Sequence, residues 1–141
     1  MPDSRELHDL LRTVRSGDVE SATDALFHLK NRICPQGVAV SGETATALPA
    51  LIDVIVSGRS IVRGEVLRLV ARISRASHAW RNSARHARPE YAGNYVGRIE
   101  WEVAVDRAFR DAVPVLVRLE SDAEPEVASI AHDLAERYRR D

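Results

Sequence analysis

The chain has 141 residues, which predicts one domain large enough to bury a core without disulfides or metal. Hydrophobic residues make up 45% and charged residues 29%, which excludes an intrinsically disordered chain, while only 5% aromatic residues predict an aliphatic core. The 20 basic and 21 acidic residues nearly cancel, so net charge gives no reason to expect nucleic acid or membrane as a partner, and the single cysteine, Cys34, excludes an internal disulfide.

The opening stretch MPDSRELHDLL is acidic and polar, unlike a secretory leader. The longest apolar stretch, ALPALIDVIV, contains Asp53 and has about half the length that a membrane span requires. These features predict no membrane span and a cytoplasmic location.

Two helices are predicted in the first part of the chain from apolar residues at a period of 3.6. The first covers Ser4 to Ser16, with Asp3 or Ser4 as its cap and Gly17 at its end. The second covers residues 18–33, is capped by Asp18, and ends before Pro35 and Gly37. Their predicted inward residues are Leu7, Leu10, Leu11, Val14, Ala22, Ala25, Leu26, Leu29 and Ile33.

Four more helices follow in the same pattern. The third covers about 43–56, is interrupted or restarted near Pro49, and is closed by Gly58; the fourth covers about 60–77. The fifth covers about 98–121 and contains Pro114, and the sixth covers 124–139; no stretch alternates as a strand would. The predicted inward residues are Leu48, Leu51, Ile52, Ile55, Val62, Val66, Leu69, Val70, Ile73, Val127, Ile130, Ala131, Leu134 and Tyr138.

The helix pairs recur along the chain. The prolines of ALPALIDVIVSG and AVPVLVRLESD, Pro49 and Pro114, lie 65 positions apart, and at this offset the apolar residues of the fourth and sixth helices coincide. At an offset of 40 or 41 the first pair matches the second. Three helix pairs at a period of about 40 residues are typical of an α-solenoid, because one pair alone cannot bury its apolar face.

The segment AVPVLVRLESDAEPEVASIAHDLA resembles the HEAT-repeat family, in its apolar run around a proline, its acidic turn and its second helix opening on a valine. The resemblance implies an all-α fold, an α-solenoid of three HEAT-like helical hairpins: repeat 1 at about 4–34, repeat 2 at about 43–77 and repeat 3 at about 99–139. HEAT units usually carry an Asp in the turn and an Arg after the valine. Here Asp122 is followed by Ala128, while Arg63 has Ser57 at the acidic position, so this ladder is either shared between copies or absent.

An insertion at about 78–98 separates the second and third hairpins, within the sequence SHAWRNSARHARPEYAGNYVGRIEW. Aromatic residues and arginine dominate hot spots at protein interfaces. The predicted partner-binding residues are Trp80, Arg81, Arg85, His86, Arg88, Tyr91 and Tyr95. Alternatively, Trp80 and Trp101 fold back as a plug between the second and third pairs, an alternative that suits Trp101 more than Trp80 because Trp101 begins a helix.

Charge is unevenly distributed around the insertion. The basic band, residues 59–98, begins at Arg59, ends at Arg98 and contains nine arginines against Glu65 and Glu90. Residues 99–126 contain eight acidic residues against three arginines. The band either pairs with the acidic part of the same chain, contacts a protein, or contacts nucleic acid.

No arrangement of residues indicates catalysis, a cofactor or a metal. Cys34 ends an apolar helix and is expected to be an inert buried thiol. No two of the five histidines have the i, i+4 spacing of zinc ligands on a helix, and the glycines form no phosphate-binding run. Glu102 and Asp106 lie between Arg98 and Arg110 in steps of four, which predicts a solvated ladder of ion pairs.

The function predicted from these features is non-enzymatic. Resemblance to HEAT domains implies a protein-binding scaffold or adaptor, or an immunity-type inhibitor, that uses its concave face and the insertion. The alternative is a nucleic-acid-binding HEAT-like module, similar to alkylpurine DNA glycosylases, that uses the basic band. The acidic third repeat argues against this alternative because it would repel phosphate.

Overall fold

The computed structural model describes residues 4–139, and these residues form helices without any strand. Six helices of this part have 13 residues or more: α1 (Ser4–Ser16), α2 (Val19–Ile33), α3 (Thr44–Ser57), α4 (Arg63–Ala76), α7 (Val96–Leu119) and α8 (Pro125–Arg139). Two short helices, α5 (Ala79–His86) and α6 (Pro89–Ala92), lie between α4 and α7. Short 3₁₀ turns cover Pro35–Gly37 and Gly93–Tyr95. The all-helical prediction is therefore confirmed.

The helices begin and end where the sequence places caps and glycines. The Asp18 side chain accepts a hydrogen bond from the backbone N–H of Ser21 at 2.8 Å, which caps α2. Gly17 ends α1 because a Cβ there would lie 2.6 Å from the carbonyl oxygen of Thr13. Gly58 follows α3 with a φ of 67°, a left-handed conformation that glycine adopts without strain. Asp3 and the Ser4 side chain, the predicted caps of α1, lie outside what the structure describes.

Helix α3 is continuous, so the predicted interruption near Pro49 is wrong. Pro49 removes one intrahelical hydrogen bond, but it lies on the exposed side of a helix whose opposite side is buried. Six apolar residues after Thr46 anchor that buried side: Ala47, Leu48, Leu51, Ile52, Val54 and Ile55. Their packing keeps the helix continuous through the proline.

The six long helices pack as three sequential pairs, α1 with α2, α3 with α4 and α7 with α8. The first helices of the pairs also contact one another, α1 with α3 and α3 with α7, and α4 contacts α8. Most of the predicted inward residues are buried in one core, and the three that are only half-buried, Leu10, Leu11 and Ile130, pack against it. The residues predicted to face inward from the apolar period of 3.6 therefore belong to the core or pack against it.

Ion pairs cross between successive helix pairs. Arg32 of α2 donates to both carboxylate oxygens of Glu43, at 2.7 and 2.8 Å. Arg63, the first residue of α4, donates to Asp122 in the turn before α8, at 2.6 and 3.2 Å. Arg63 and Asp122, for which the sequence left open a shared ladder or none, are therefore paired with each other in the structure.

Hydroxyl groups make a second set of links between the pairs. The Ser60 hydroxyl, in the turn before α4, donates to the carbonyl oxygen of Val14 near the end of α1 at 2.7 Å. The Thr44 hydroxyl donates to the carbonyl oxygen of Ile33, the last residue of α2, at 2.5 Å. Carbonyls in the last turn of a helix lack a partner within the helix, so these hydroxyls satisfy groups that would otherwise be buried without a hydrogen bond.

The helices within residues 4–139 include none with both the length and the apolar character needed to cross a bilayer.

Candidate functional site

The predicted insertion forms α5, α6, a 3₁₀ turn and the first residues of α7. Trp80 on α5 anchors it to the rest of the molecule. Its indole N–H donates to the carbonyl oxygen of Val40 at 2.9 Å, and its half-buried ring packs against the core. The guanidinium of Arg98 lies 4.5 Å from the centre of the Trp80 ring, and the Tyr95 ring lies 6.4 Å from it. Trp80 therefore folds inward, as the plug alternative described, whereas Trp101, the residue that this alternative suited more, is 37% exposed.

Glu102 of α7 holds the beginning of α5. The carboxylate of Glu102 is fully buried and accepts the backbone N–H groups of Trp80 at 2.8 Å and Arg81 at 3.1 Å. These are the second and third residues of α5, whose N–H groups have no partner within the helix. The Arg81 guanidinium also donates to Asp106 at 2.6 Å.

The predicted solvated ladder along α7 is therefore wrong for Glu102 and Asp106. Helix α5 folds over this side of α7, so that the Glu102 side chain is 0% exposed and that of Asp106 is 14% exposed. Arg98, at the start of the predicted ladder, lies over the Trp80 ring. Spacing along one helix could not reveal that a second helix covers it.

The seven predicted partner-binding residues divide into two groups. Trp80, Arg81 and Tyr95 are half-buried and face the remainder of the molecule. The other four are exposed: Arg85, His86, Arg88 and Tyr91. Tyr91 on α6 is 54% exposed, and the His86 ring is hydrogen-bonded through Nδ1 to the carbonyl oxygen of Asn82 at 2.9 Å. The structure thus leaves four of the seven accessible to a partner.

A basic pocket of about 550 Å³ lies where the end of α4 meets α5. Its lining residues are Arg75, His78, Ala79, Arg81, Asn82 and Arg85. Arg81 is held by Glu102 and Asp106, so its charge is balanced. Arg75 and Arg85 are exposed and make no ion pair with the described residues.

A groove of about 320 Å³ lies between α2 and α4, and no residue of the insertion lines it. Leu26 and Leu69 form its apolar base, and Phe27 stands beside it with 59% of its surface exposed. Thr23, Lys30, Glu65, Arg68 and Arg72 complete the lining. A second hollow on the outer side of Phe27 is lined by Val19, Glu20, Thr23 and Asp24.

Phe27 was not among the contact residues predicted from the sequence. It follows Leu26 directly and lies off the inward stripe of α2, which continues from Leu26 to Leu29 and Ile33. The available signal was a large aromatic residue outside the buried stripe of an amphipathic helix, in a chain with only two phenylalanines.

Two side chains with reactive groups, Cys34 and Tyr138, are buried in the core. Cys34 is fully buried, and burial raises the pKa of its thiol above the ordinary value of 9.0. Burial likewise raises the pKa of Tyr138, whose hydroxyl is hydrogen-bonded to that of Ser74 at 2.8 Å. Within residues 4–139, no three side chains of histidine, cysteine, aspartate or glutamate converge as a metal site would require.

Comparisons with known proteins give no relative. No protein-family model, no curated protein and no solved structure matches the chain.

Proposed function

We propose that the chain is a short α-solenoid of three HEAT-like hairpins that binds another protein and catalyses no reaction. The order of contacts among α1, α3 and α7 supports the solenoid. The pairing of Arg63 with Asp122 supports the HEAT-like character, because it joins the family's arginine position in one repeat to its aspartate position in the next. In such a solenoid α2, α4 and α8 line one face, which is the face that carries the groove.

The observation that carries the proposal is the exposed ring of Phe27 beside the α2–α4 groove. Its exposed fraction of 59% leaves a large apolar surface in contact with water. Such a ring next to a preformed hollow with an apolar base has the composition of a hot spot at a protein interface. An adaptor and an immunity-type inhibitor would both use such a surface.

The insertion supplies a second surface for the same function. Arg85, His86, Arg88 and Tyr91 are exposed on α5 and α6 or between them. Because Trp80 is hydrogen-bonded both to Glu102 of α7 and to the carbonyl oxygen of Val40, the helix that carries Arg85 and His86 is held in a fixed position. Preorganised residues of this kind bind with a smaller entropic cost than residues on a mobile loop.

Site-specific photocrosslinking in a lysate of the source cells tests this function. A benzophenone amino acid replaces Phe27 in one variant, Tyr91 in a second and Ile61 in a third, and Ile61 is a matched control because its exposed fraction is 57%. We expect protein adducts from position 27 or 91 that do not form from position 61. The absence of any adduct, or the same adducts from all three positions, contradicts the proposal.

The second candidate function is nucleic-acid binding through the basic band. The basic pocket favours it, since Arg75 and Arg85 have no acidic partner there among the described residues. Phosphate contacts give an affinity that falls steeply as salt rises. A salt titration of binding to duplex DNA therefore tests it: steep loss of affinity supports this function, and no binding at low salt removes it.

A further inference from the structure

We propose that the α2–α4 groove binds an acidic peptide segment of a partner protein, with one large apolar side chain inserted beside Phe27 and carboxylates directed at Lys30 and Arg72. This inference rests on the proposed protein-binding function and specifies its ligand. It concerns the groove alone and does not involve the insertion.

The apolar part of the groove determines which kind of ligand side chain can insert beside Phe27 as an anchor. Leu26 and Leu69 are almost completely buried, so they form a fixed base that does not need to rearrange when a ligand binds. Phe27 forms a wall that remains largely exposed in the free protein. The volume of about 320 Å³ lies at the lower end of the range for binding pockets, roughly 300 to 1,000 Å³. A groove of this volume suits one large ligand side chain and its adjoining backbone better than it suits a flat protein surface.

The charged side chains that line the groove indicate which residues the remainder of the ligand segment should contain. Lys30 and Arg72 line it, and neither forms an ion pair with the described residues. Arg68, the third cation of the lining, pairs with Glu126 of α8 at 3.1 Å, but these side chains are 60% and 50% exposed. An exposed pair of this kind is weak, so a ligand carboxylate can replace Glu126 at little cost. Three cations against Glu65 thus favour an acidic ligand.

The two unpaired cations lie together at one end of the groove. The Arg72 guanidinium lies against Gly37, just beyond the end of α2, where Lys30 is in the last turn. Both charges also act on the Cys34 thiol, which follows α2 directly. The carboxylates of the ligand are therefore expected at the end of the groove near the C-terminus of α2, with the apolar anchor toward Phe27.

The same groove is poorly suited to nucleic acid. Glu20 and Asp24 flank Phe27 on its outer side, and Glu65 is part of the lining. A phosphate backbone would approach these carboxylates at regular intervals and would be repelled. A peptide can place its acidic residues at the cationic end only.

Selection of peptides that bind the whole chain tests this inference. A displayed library of random 12-residue peptides is selected on the immobilised protein, and the most enriched peptide is synthesised with a fluorescent label for anisotropy titrations. We expect the enriched peptides to contain aspartate or glutamate close to one large apolar residue. Phe27→Ala and Arg72→Glu should each weaken binding by at least about tenfold. A peptide with its acidic residues changed to lysine should recover binding to Arg72→Glu.

Two control variants match these substitutions. Ile61→Ala removes an equally exposed apolar side chain, and Arg107→Glu reverses an exposed charge on α7. Both should bind the peptide within about twofold of the wild type, since neither side chain lines the groove. Because Phe27 and Arg72 are exposed, their variants should also melt close to the wild-type temperature, which separates loss of binding from loss of folding.

Several results would overturn the inference. These are enrichment of peptides without acidic residues, no enrichment at all, or unchanged affinity in Phe27→Ala and Arg72→Glu. Displacement of the peptide by a single-stranded oligonucleotide that itself depends on Arg72 would assign the groove to a phosphate ligand. If crosslinking yields protein adducts while no acidic peptide binds the groove, the proposed function stands and this inference fails; without such adducts the proposed function fails as well.

Discussion

The guanidinium of Arg63 and the carboxylate of Asp122 form a two-armed ion pair between residues 59 positions apart in sequence. The Arg63 side chain is 12% exposed and that of Asp122 is 17% exposed, so water screens the pair only weakly. The Nε of Arg63 also donates to the carbonyl oxygen of Ile55 near the end of α3, at 2.8 Å. One side chain therefore joins α3, α4 and the turn before α8.

Replacing Arg63 should cost more stability than replacing any exposed arginine. We expect Arg63→Ala to lower the free energy of unfolding by about 2 kcal/mol, since it leaves Asp122 and the Ile55 carbonyl without their charged donor. Arg63→Lys should recover only part of this, because an ammonium cannot form both arms. Urea denaturation measures the change, and a double-mutant cycle with Asp122→Ala isolates the pair.

The control for this prediction is Arg68→Ala. Arg68 pairs with Glu126, but both side chains are largely exposed, so the loss should stay below about 1 kcal/mol. Equal losses of stability in Arg63→Ala and Arg68→Ala would show that the largely buried Arg63–Asp122 pair contributes no more than an exposed pair.

Stability should depend on pH through Asp122. The hydrogen bond from Arg63 lowers the pKa of Asp122 below its ordinary value of 3.8, so the folded state favours the ionised form. The stabilisation is present above pH 3.8 and is lost as the pH falls below this value through the folded-state pKa. We expect Asp122→Asn to be less stable than the wild type at pH 7, with a difference that shrinks at the acidic end. A difference in urea midpoint that stays constant down to the lowest pH would contradict this origin.

The buried carboxylate of Glu102 should hold α5 in place. Glu102→Ala removes the acceptor of two backbone N–H groups and a partner of Arg81, and we expect it to cost about 2 to 3 kcal/mol. Hydrogen exchange should accelerate most at the amides of Trp80 and Arg81. Glu102→Gln keeps one oxygen acceptor and should therefore lower the free energy of unfolding by less than Glu102→Ala does.

Glu100→Ala is the matched control for Glu102. Glu100 is exposed on the same helix, so its replacement should change stability by less than about 0.5 kcal/mol and leave the exchange of α5 unchanged. Faster exchange spread evenly over the whole chain in Glu102→Ala would indicate a general loss of stability rather than the loss of a local cap.

The Cys34 thiol should react only when the core opens. It is fully buried, and its raised pKa keeps it protonated at neutral pH, whereas the thiolate is the reactive form. We expect an aromatic disulfide reagent at pH 8 to modify the native protein at least about a thousandfold more slowly than the protein in guanidinium chloride. Stoichiometric modification of the native protein at the unfolded rate would show that the thiol is accessible.

The sequence predicted the six long helices and most of the core because caps, glycines and apolar period act locally. Gly17 and Asp18 determine the boundary between α1 and α2 through contacts within four residues. The break at Pro49 was predicted wrongly, because the loss of one hydrogen bond is outweighed by the burial of the opposite side of α3.

The candidate site was less predictable because it depends on contacts between distant residues. Nothing near Glu102 in sequence indicates that α5 covers it, since the groups that it binds lie 21 and 22 positions earlier. The groove beside Phe27 likewise depends on how α2 and α4 are placed relative to each other, which the spacing within either helix does not determine. The insertion, predicted as a contact surface, places Trp80 inward for the same reason.

The hydrogen bond from the Ser60 hydroxyl to the Val14 carbonyl means that the first hairpin is completed by a group 46 positions later in the chain. A fragment ending before Ser60 would leave that carbonyl without its donor. The domain is therefore expected to lose structure in one cooperative step, rather than unravelling one hairpin at a time from its C-terminal end.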